Sequence, residues 1–280
     1  MENHQDTNPI TREYIQLEEI IAAKNKRLSR MLPGFVLRYL KRIIHQDFIN
    51  DFLYRNRDDY GMDFVYSILR DFNTHLVTRH EENIPKQGRY VVVANHPLGG
   101  LDGIALMGAV GKVRSDIVFP VNDLLLNLPN LKELFIPINK HGSNAQNVQI
   151  INDTFASDKT ILYFPAGLVS RKQKGEIKDL PWHKSFLTKA KRYERDIIPA
   201  YIHGRNTNFF YNLANMRKSL GIKTNIEMLY LVDEMYKQND KTIDITFGKP
   251  MSYKTFDKSH PDSFWAGMLK EKAYELNPHK

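Results

Sequence analysis

The chain has 280 residues, of which 42% are hydrophobic and 11% aromatic, and its formal net charge is +8. These values predict one large folded domain and exclude a disordered protein. The absence of cysteine excludes disulfides, thiolate metal sites and a cysteine nucleophile. The basic excess fits nucleic acid, an anionic membrane surface or a phosphorylated ligand, and does not choose among them.

The first residues, MENHQDTNPITREY, are polar and partly acidic, which is not typical of a signal peptide. No stretch reaches the roughly 20 uninterrupted apolar residues of a spanning helix. We therefore expect a cytoplasmic protein that is soluble or peripheral to the inner face of the membrane.

Residues 1–80 are predicted to form an N-terminal helical segment that is a candidate for membrane contact. Residues 10–31 are amphipathic, Pro33-Gly34 interrupts them, and residues 35–56 carry apolar side chains at helical spacing with basic residues between them. This second helix either covers the core or lies on anionic lipid. A third helix is predicted over Tyr60 to Val77.

Residues 81–280 are predicted to form an α/β domain, because strands alternate with helices from Tyr90 onward. The sheet is expected to be mixed, largely parallel and flanked by helices, and its ligands should gather beyond the carboxyl ends of the strands. The predicted strands are 90–94, 117–121, 135–138, 160–164, 196–202 and 242–248. The predicted helices are 103–112, 123–134, 145–157, 182–193, 206–220, 225–237 and 263–276.

The sequence NHPLGGLDG joins the first of these strands to its helix. His96 would act as a general base that Asp102 orients, and Gly99 and Gly100 would allow the tight turn that brings them together. Alternatively, Asp102 caps the helix that begins at Gly103 and His96 is a hydrogen-bonded core residue. Both interpretations stay open on this stretch alone.

Three further strand ends carry proline or glycine beside a basic residue, in LFIPINKHG, LYFPAGLVSRKQKG and IIPAYIHGR. Together with the histidine–aspartate stretch, they resemble the four blocks of the glycerolipid (lysophosphatidic acid type) acyltransferase superfamily, over roughly residues 75–250. NHPLGGLDG, FPAGLVSR and GRN look most like its hemolysin-like, ornithine-lipid O-acyltransferase branch. No G-x-S-x-G serine hydrolase motif or H-E-x-x-H metal motif is present.

The resemblance implies a membrane-lipid O-acyltransferase in which His96 and Asp102 are catalytic. It implies no metal and no cofactor, with an acyl carrier protein or coenzyme A thioester as co-substrate. The implied partners are a lysolipid acceptor and an anionic membrane surface, without nucleic acid. Backbone N–H groups of residues 164–167 are candidates for binding the oxyanion. The implied substrate-binding residues are Asn95, Gly99, Gly100, Lys140, Phe164, Pro165, Gly167, Arg171 and Arg205.

The sequence departs from the family pattern in ways that bear on the acceptor. Five residues separate His96 from Asp102 where the family has four, and Lys140 replaces an arginine. Ala166 and Val169 stand where the glycerol-phosphate enzymes have a glutamate and an arginine. Because apolar side chains cannot pair a phosphorylated headgroup, we do not expect lysophosphatidic acid as the preferred acceptor. The resemblance to the ornithine-lipid branch implies a lyso-aminolipid instead.

Other functions stay open. One alternative is a 1-acyl-glycerol-3-phosphate acyltransferase, and another is a non-catalytic protein that binds anionic lipid or nucleic acid. The basic run of Arg171, Lys172 and Lys174 is either a solvated loop or a contact for a phosphate of the donor or of a lipid headgroup.

Overall fold

A computed structural model describes residues 14–121, 125–137 and 144–280. The chain divides into two compact units, with the boundary between Asp58 and Asp59. The predicted boundary at residue 80 differs from this one, because a strand that precedes residue 80 belongs to the sheet of the second unit.

The first unit contains short helices in place of the two long ones that we expected. They are α1 (Leu17–Lys24), α2 (Lys26–Met31), α3 (Gly34–Ile43) and α4 (Gln46–Arg55). His45 has a φ of 50° and turns the chain between α3 and α4. The side chain of Asn50 then accepts the Ile15 N–H at 2.7 Å, which ties the start of the described chain to α4.

The second unit is built on a seven-stranded sheet. The strands of the sheet are β1 (His75–Arg79), β2 (Tyr90–Ala94), β3 (Ile117–Val121), β4 (Phe135–Pro137), β5 (Thr160–Tyr163), β8 (Asp196–Ile202) and β9 (Thr242–Phe247). They lie in the order β1-β9-β8-β2-β5-β3-β4, and all neighbouring strands are parallel except β8 and β9. This confirms the predicted mixed, largely parallel α/β sheet. A separate hairpin consists of β6 (Arg171–Gln173) and β7 (Glu176–Lys178).

Helices flank this sheet, as the alternating pattern predicts. They are α5 (Gly61–Asp71), α6 (Gly100–Gly111), α7 (Asn144–Ala156), α8 (Ser185–Arg192), α9 (Asn208–Ser219), α10 (Leu231–Tyr236) and α11 (Asp262–Glu275). No helix in the described ranges is both long and apolar enough to pass through a bilayer.

Some predicted elements were wrong. The third helix ends at Asp71 rather than Val77, because the chain continues as the edge strand β1 alongside β9. Residues 125–131 form two short 3₁₀ turns where a helix over 123–134 was expected, since Pro129 breaks helical hydrogen bonding. The hairpin β6–β7 was not predicted, because its strands have only three residues each.

Small residues hold the helix that begins at the histidine–aspartate loop. A Cβ atom at Gly108 would lie 2.6 Å from Leu69 Cδ1, and one at Gly111 would lie 2.2 Å from Met62 Cε. Helix α5 therefore packs closely on α6, and a larger residue at either glycine would require the side chain of Leu69 or Met62 to move. Most residues of α6 are buried, as are those of the strand β2 that precedes it.

Candidate active site

Asn95 fixes the point at which β2 ends. Its Nδ2 donates to the Ile202 carbonyl at 2.8 Å, and its Oδ1 accepts the Ile202 N–H at 2.7 Å. The side chain is buried and both of its polar atoms bind the backbone at the end of β8. Asn95, expected to bind substrate, thus lies at the site and holds the strand end from which His96 projects.

His96 and Asp102 meet at this carboxyl edge of the sheet. The imidazole Nδ1 lies 3.0 Å from Asp102 Oδ2. The aspartate is fully buried, whereas the His96 side chain remains 17% exposed. The Phe164 ring stacks on the imidazole with 4.2 Å between centroids and holds its plane. Because Nδ1–H donates to the carboxylate, Nε2 keeps the lone pair that can take a proton.

The same carboxylate caps α6. Asp102 Oδ2 also accepts the N–H of Leu98 at 2.8 Å and that of Gly99 at 3.2 Å. Gly99 has a φ of 92°, which favours glycine, and this conformation accommodates the five-residue separation within a tight loop. A Cβ at Gly100 would lie 3.1 Å from Met235 Sδ, so this glycine allows α10 to approach the loop. The predicted helix start at Gly103 was wrong: α6 begins at Gly100, so Asp102 is its third residue and accepts the N–H of the N-cap residue Gly99. This contact at the helix start and the His96–Asp102 pair (the dyad) are present together.

The electrostatic surroundings raise the pKa of His96. Burial alone lowers it, but the charge and hydrogen bond of Asp102, with the charge of Asp179, outweigh burial. The charge of Arg171 opposes them weakly. The imidazolium that forms during proton transfer is therefore stabilised, and the base is neutral only above its raised pKa.

Asp179 is a second buried carboxylate at this site, and sequence reasoning missed it. Its Oδ1 accepts the backbone N–H of His96 at 3.2 Å and the Ser170 hydroxyl at 2.5 Å, and its Oδ2 accepts Trp182 Nε1–H at 2.9 Å. Ser170 N–H also donates to the His96 carbonyl at 2.7 Å. Burial raises the pKa of Asp179, while these donors favour its ionised form. No sequence motif links Asp179 to the site, because the His96 backbone that it binds lies 83 residues earlier in the chain.

The FPAG segment turns beside the imidazole. Phe164 stacks on His96, and the Pro165 carbonyl accepts the His183 N–H at 3.0 Å. Gly167 has a φ of 65° and its N–H donates to the Phe164 carbonyl at 3.1 Å. Because proline has no N–H and that of Gly167 is bound, the candidate oxyanion donors of this segment narrow to the N–H groups of Phe164 and Ala166.

The two arginines predicted to bind substrate, Arg171 and Arg205, differ in burial and in their partners. Arg171 is buried, and its guanidinium binds Glu227 Oε1 at 3.0 Å. Arg217 lies 2.9 Å from the other oxygen of Glu227. Burial lowers the pKa of Arg171, against the charge of Glu227. Arg205, by contrast, is exposed just beyond β8 and donates to Asn208 Oδ1.

Lys140, expected in the substrate site, lies outside the described residues. Among the residues that the structure does describe, no group of three or more histidine, aspartate or glutamate side chains is arranged to hold a metal ion.

The fold and the dyad define a class before any relative is considered. A histidine–aspartate pair at the carboxyl edge of such a sheet, beside an FPAG turn, is the arrangement that the resemblance predicts for an acyltransferase. A family model described as "Acyltransferase" matches residues 19–277. The chain belongs to this acyltransferase family and is an O-acyltransferase, which overturns the non-catalytic alternative.

Two curated relatives carry the name lyso-glycine lipid O-acyltransferase. The protein of Bacteroides thetaiotaomicron is 45% identical over 264 residues, covering 94% of this chain and 97% of the relative. That of Phocaeicola vulgatus is 46% identical over 264 residues, covering 94% and 95%. Among solved structures, the 1-acyl-sn-glycerophosphate acyltransferase PlsC of Thermotoga maritima matches with a TM-score of 0.50 and 17% identity over 94% of each chain. This last likeness shows the fold alone.

Proposed function

We propose that the protein transfers a fatty acyl group from an acyl thioester to the hydroxyl of a lyso-aminolipid, with lyso-glycine lipid as the favoured acceptor. The observation that carries this proposal is the His96–Asp102 pair, whose atoms lie 3.0 Å apart at the sheet edge. The names of the two relatives at 45% and 46% identity support the acceptor.

The chemistry follows from the protonation states of the pair. His96 Nε2 takes the proton of the acceptor hydroxyl as its oxygen attacks the thioester carbonyl, and Asp102 stabilises the imidazolium. The tetrahedral intermediate then collapses, the C–S bond breaks and the imidazolium returns the proton to the leaving thiolate. The proton balance closes without a covalent enzyme intermediate. The donor thioester would be carried by acyl carrier protein or by coenzyme A.

The apolar third block favours this acceptor over lysophosphatidic acid. Ala166 is buried in a core cluster with Trp182 and Phe186, and Val169 is buried against Phe210 and Tyr211. Neither side chain supplies a hydrogen bond or a charge to a phosphate. Arg205, exposed at the end of β8, would instead pair the single carboxylate of an N-acylated glycine.

A competition assay tests the acceptor. Purified protein receives one labelled acyl donor with lyso-glycine lipid and lysophosphatidic acid at equal concentrations. We expect the aminolipid product to dominate. Consumption of lysophosphatidic acid about tenfold faster would overturn the aminolipid proposal, and the alternative of phospholipid synthesis would replace it.

The place of action proposed for this reaction is the inner face of the membrane, in membrane lipid biosynthesis. The protein would be peripheral there and attracted by anionic lipid, because the chain carries a net charge of +8. Lipid extracts of cells with and without the gene, compared by mass spectrometry, would show whether the acylated aminolipid depends on it.

A further inference from the structure

Helix α9 exposes apolar side chains that the fold does not use. Its buried face consists of Phe210, Tyr211 and Ala214. A second apolar row, at i, i+4, i+7 and i+11 spacing, consists of Phe209, Leu213, Met216 and Leu220. Three members of this row are exposed: Phe209 at 49%, Met216 at 53% and Leu220 at 66%. Exposed apolar rows of this kind mark interaction surfaces.

Neighbouring residues extend this row into a patch. Ile222 and Leu229 are also exposed, and the Phe209 ring lies 5.0 Å from that of Tyr230. We call the set of Phe209, Leu213, Met216, Leu220, Ile222 and Leu229 the α9 patch.

The charge around the α9 patch is one-sided. Residues 197–226 contain no aspartate or glutamate. The buried Glu227 pairs with both Arg171 and Arg217, and Asp233 pairs with Lys237. Arg205, Lys218 and Lys223 are exposed. Apolar side chains bordered by basic ones match the interfacial region of an anionic bilayer. An acidic partner protein would complement the basic residues, but it would not account for the six exposed or partly exposed apolar residues as well as a bilayer does.

The segment that carries the patch contacts the loop that contains His96 and Asp102, which we call the dyad loop. A Cβ at Gly99 would lie 3.1 Å from Leu231 Cδ2 of α10. The buried Glu234 of α10 accepts the N–H and the hydroxyl of Thr207, each at 2.6 Å, and Thr207 caps α9. These contacts connect α9, through α10, to the loop that contains His96.

We propose that the α9 patch is a membrane-docking surface of the catalytic unit, which sets the dyad loop against an anionic bilayer. The inference rests on the proposed function in one respect: a lipid acceptor has to reach His96. The contact itself is separable from turnover and can be measured without it.

The absence of cysteine makes a direct test available. Met216→Cys in the full chain carries an environment-sensitive fluorophore, and Val77→Cys is the matched control. Val77 is an exposed apolar residue on β1, close in sequence to the acidic Glu81 and Glu82. Vesicles are an equimolar mixture of phosphatidylcholine and phosphatidylglycerol. We expect a blue shift of the emission at position 216 and none at 77. No shift at 216, while the protein sediments with the vesicles, would overturn the proposal.

A kinetic arm separates this inference from the proposed function. Met216→Glu/Leu220→Glu should lower kcat/KM on the vesicle-embedded acceptor by roughly tenfold and leave turnover of a dispersed short-chain acceptor unchanged. Met216→Ser/Leu220→Ser serves if the glutamates impair folding. Equal loss on both acceptors, or a loss seen only in the KM for acyl carrier protein, would contradict membrane docking. If the wild type transfers no acyl group, the proposed function fails while the fluorescence result still decides the inference.

Discussion

The oxygen of Asp102 that lies 3.0 Å from His96 Nδ1 also accepts two backbone N–H groups of the turn that starts α6. One atom thus orients the base and caps the helix. Removing the carboxylate affects stability and chemistry together, whereas removing the imidazole affects mainly chemistry. This difference makes the two residues separable by mutation.

His96→Ala should lower acyl transfer by about 10²–10⁴-fold, because the general base is lost. The melting temperature should stay within a few degrees of the wild type, since the cap of α6 remains. His260→Ala, a histidine stacked on Phe264 in α11, is the matched control and should keep full activity. Turnover of a labelled donor and a thermal melt measure both quantities. A His96→Ala protein that retains turnover would refute the assignment of the base.

Asp102→Ala should lose activity and also lower the free energy of unfolding by about 1–3 kcal/mol, because the buried N–H groups of Leu98 and Gly99 lose their acceptor. Asp102→Asn keeps an oxygen for the N–H of Leu98 and should recover part of that stability without recovering the activity. Comparing the two variants in unfolding and turnover assays separates the roles. Full activity in an early-melting Asp102→Ala protein would mean that the residue is only a helix cap.

The dyad and the sheet could be predicted because their determinants are local. The β2 run of Tyr90–Ala94 is apolar and β-branched, and NHPLGGLDG follows it directly. The spacing between His96 and Asp102 could not show that both roles share one oxygen, because this depends on the φ of 92° at Gly99.

The remainder of the site depends on contacts between distant residues. Arg171 was expected either as part of a solvated loop or as a substrate contact, but it is buried against Glu227, 56 residues away. Asp179 reaches the His96 backbone across 83 residues. Such partners follow from tertiary packing, and neither charge nor spacing in the sequence indicates them. The edge strand β1 was missed for a similar reason: its partner in the sheet, β9, comes much later in the chain.

The pH dependence should reflect the raised pKa of His96. Because the base must be neutral, kcat/KM should fall as the pH drops through a value above the ordinary 6.5. The Asp179 charge contributes to that rise, so Asp179→Asn should move the acidic limb to lower pH. Trp182→Phe removes one donor to Asp179 but keeps its charge, and should leave the limb in place. Coincident limbs for all three proteins would show that Asp179 does not tune the base.

Arg205 and Arg171 should respond oppositely to the same change. Arg205→Met should raise KM for lyso-glycine lipid by about tenfold, through loss of a charge-assisted contact, with unfolding unchanged. Arg171→Met should instead destabilise the fold by about 1–3 kcal/mol, because the buried Glu227 loses one of its two arginine partners and keeps Arg217. Steady-state kinetics and denaturant unfolding measure the two effects. An unchanged KM in Arg205→Met would exclude this arginine as the headgroup contact.

Membrane attachment by the N-terminal helices is the last prediction. The exposed face of α3 carries Phe35, Arg38, Tyr39 and Arg42 at helical spacing, and this combination of aromatic and basic side chains suits an anionic lipid surface. Phe35→Ser/Arg38→Ser should weaken sedimentation with phosphatidylglycerol vesicles, by about 1 kcal/mol for the charge alone. Salt should weaken the wild type in the same direction.

Phe48→Ser is the matched control, because Phe48 is an exposed aromatic residue of α4 with Asp47 beside it and Asp51 one turn further on. An anionic surface repels those carboxylates, so this variant should bind vesicles like the wild type. If Phe35→Ser/Arg38→Ser also binds like the wild type at low and high salt, the basic face of α3 does not attract lipid. The interpretation of that helix as a cover for the core would then stand.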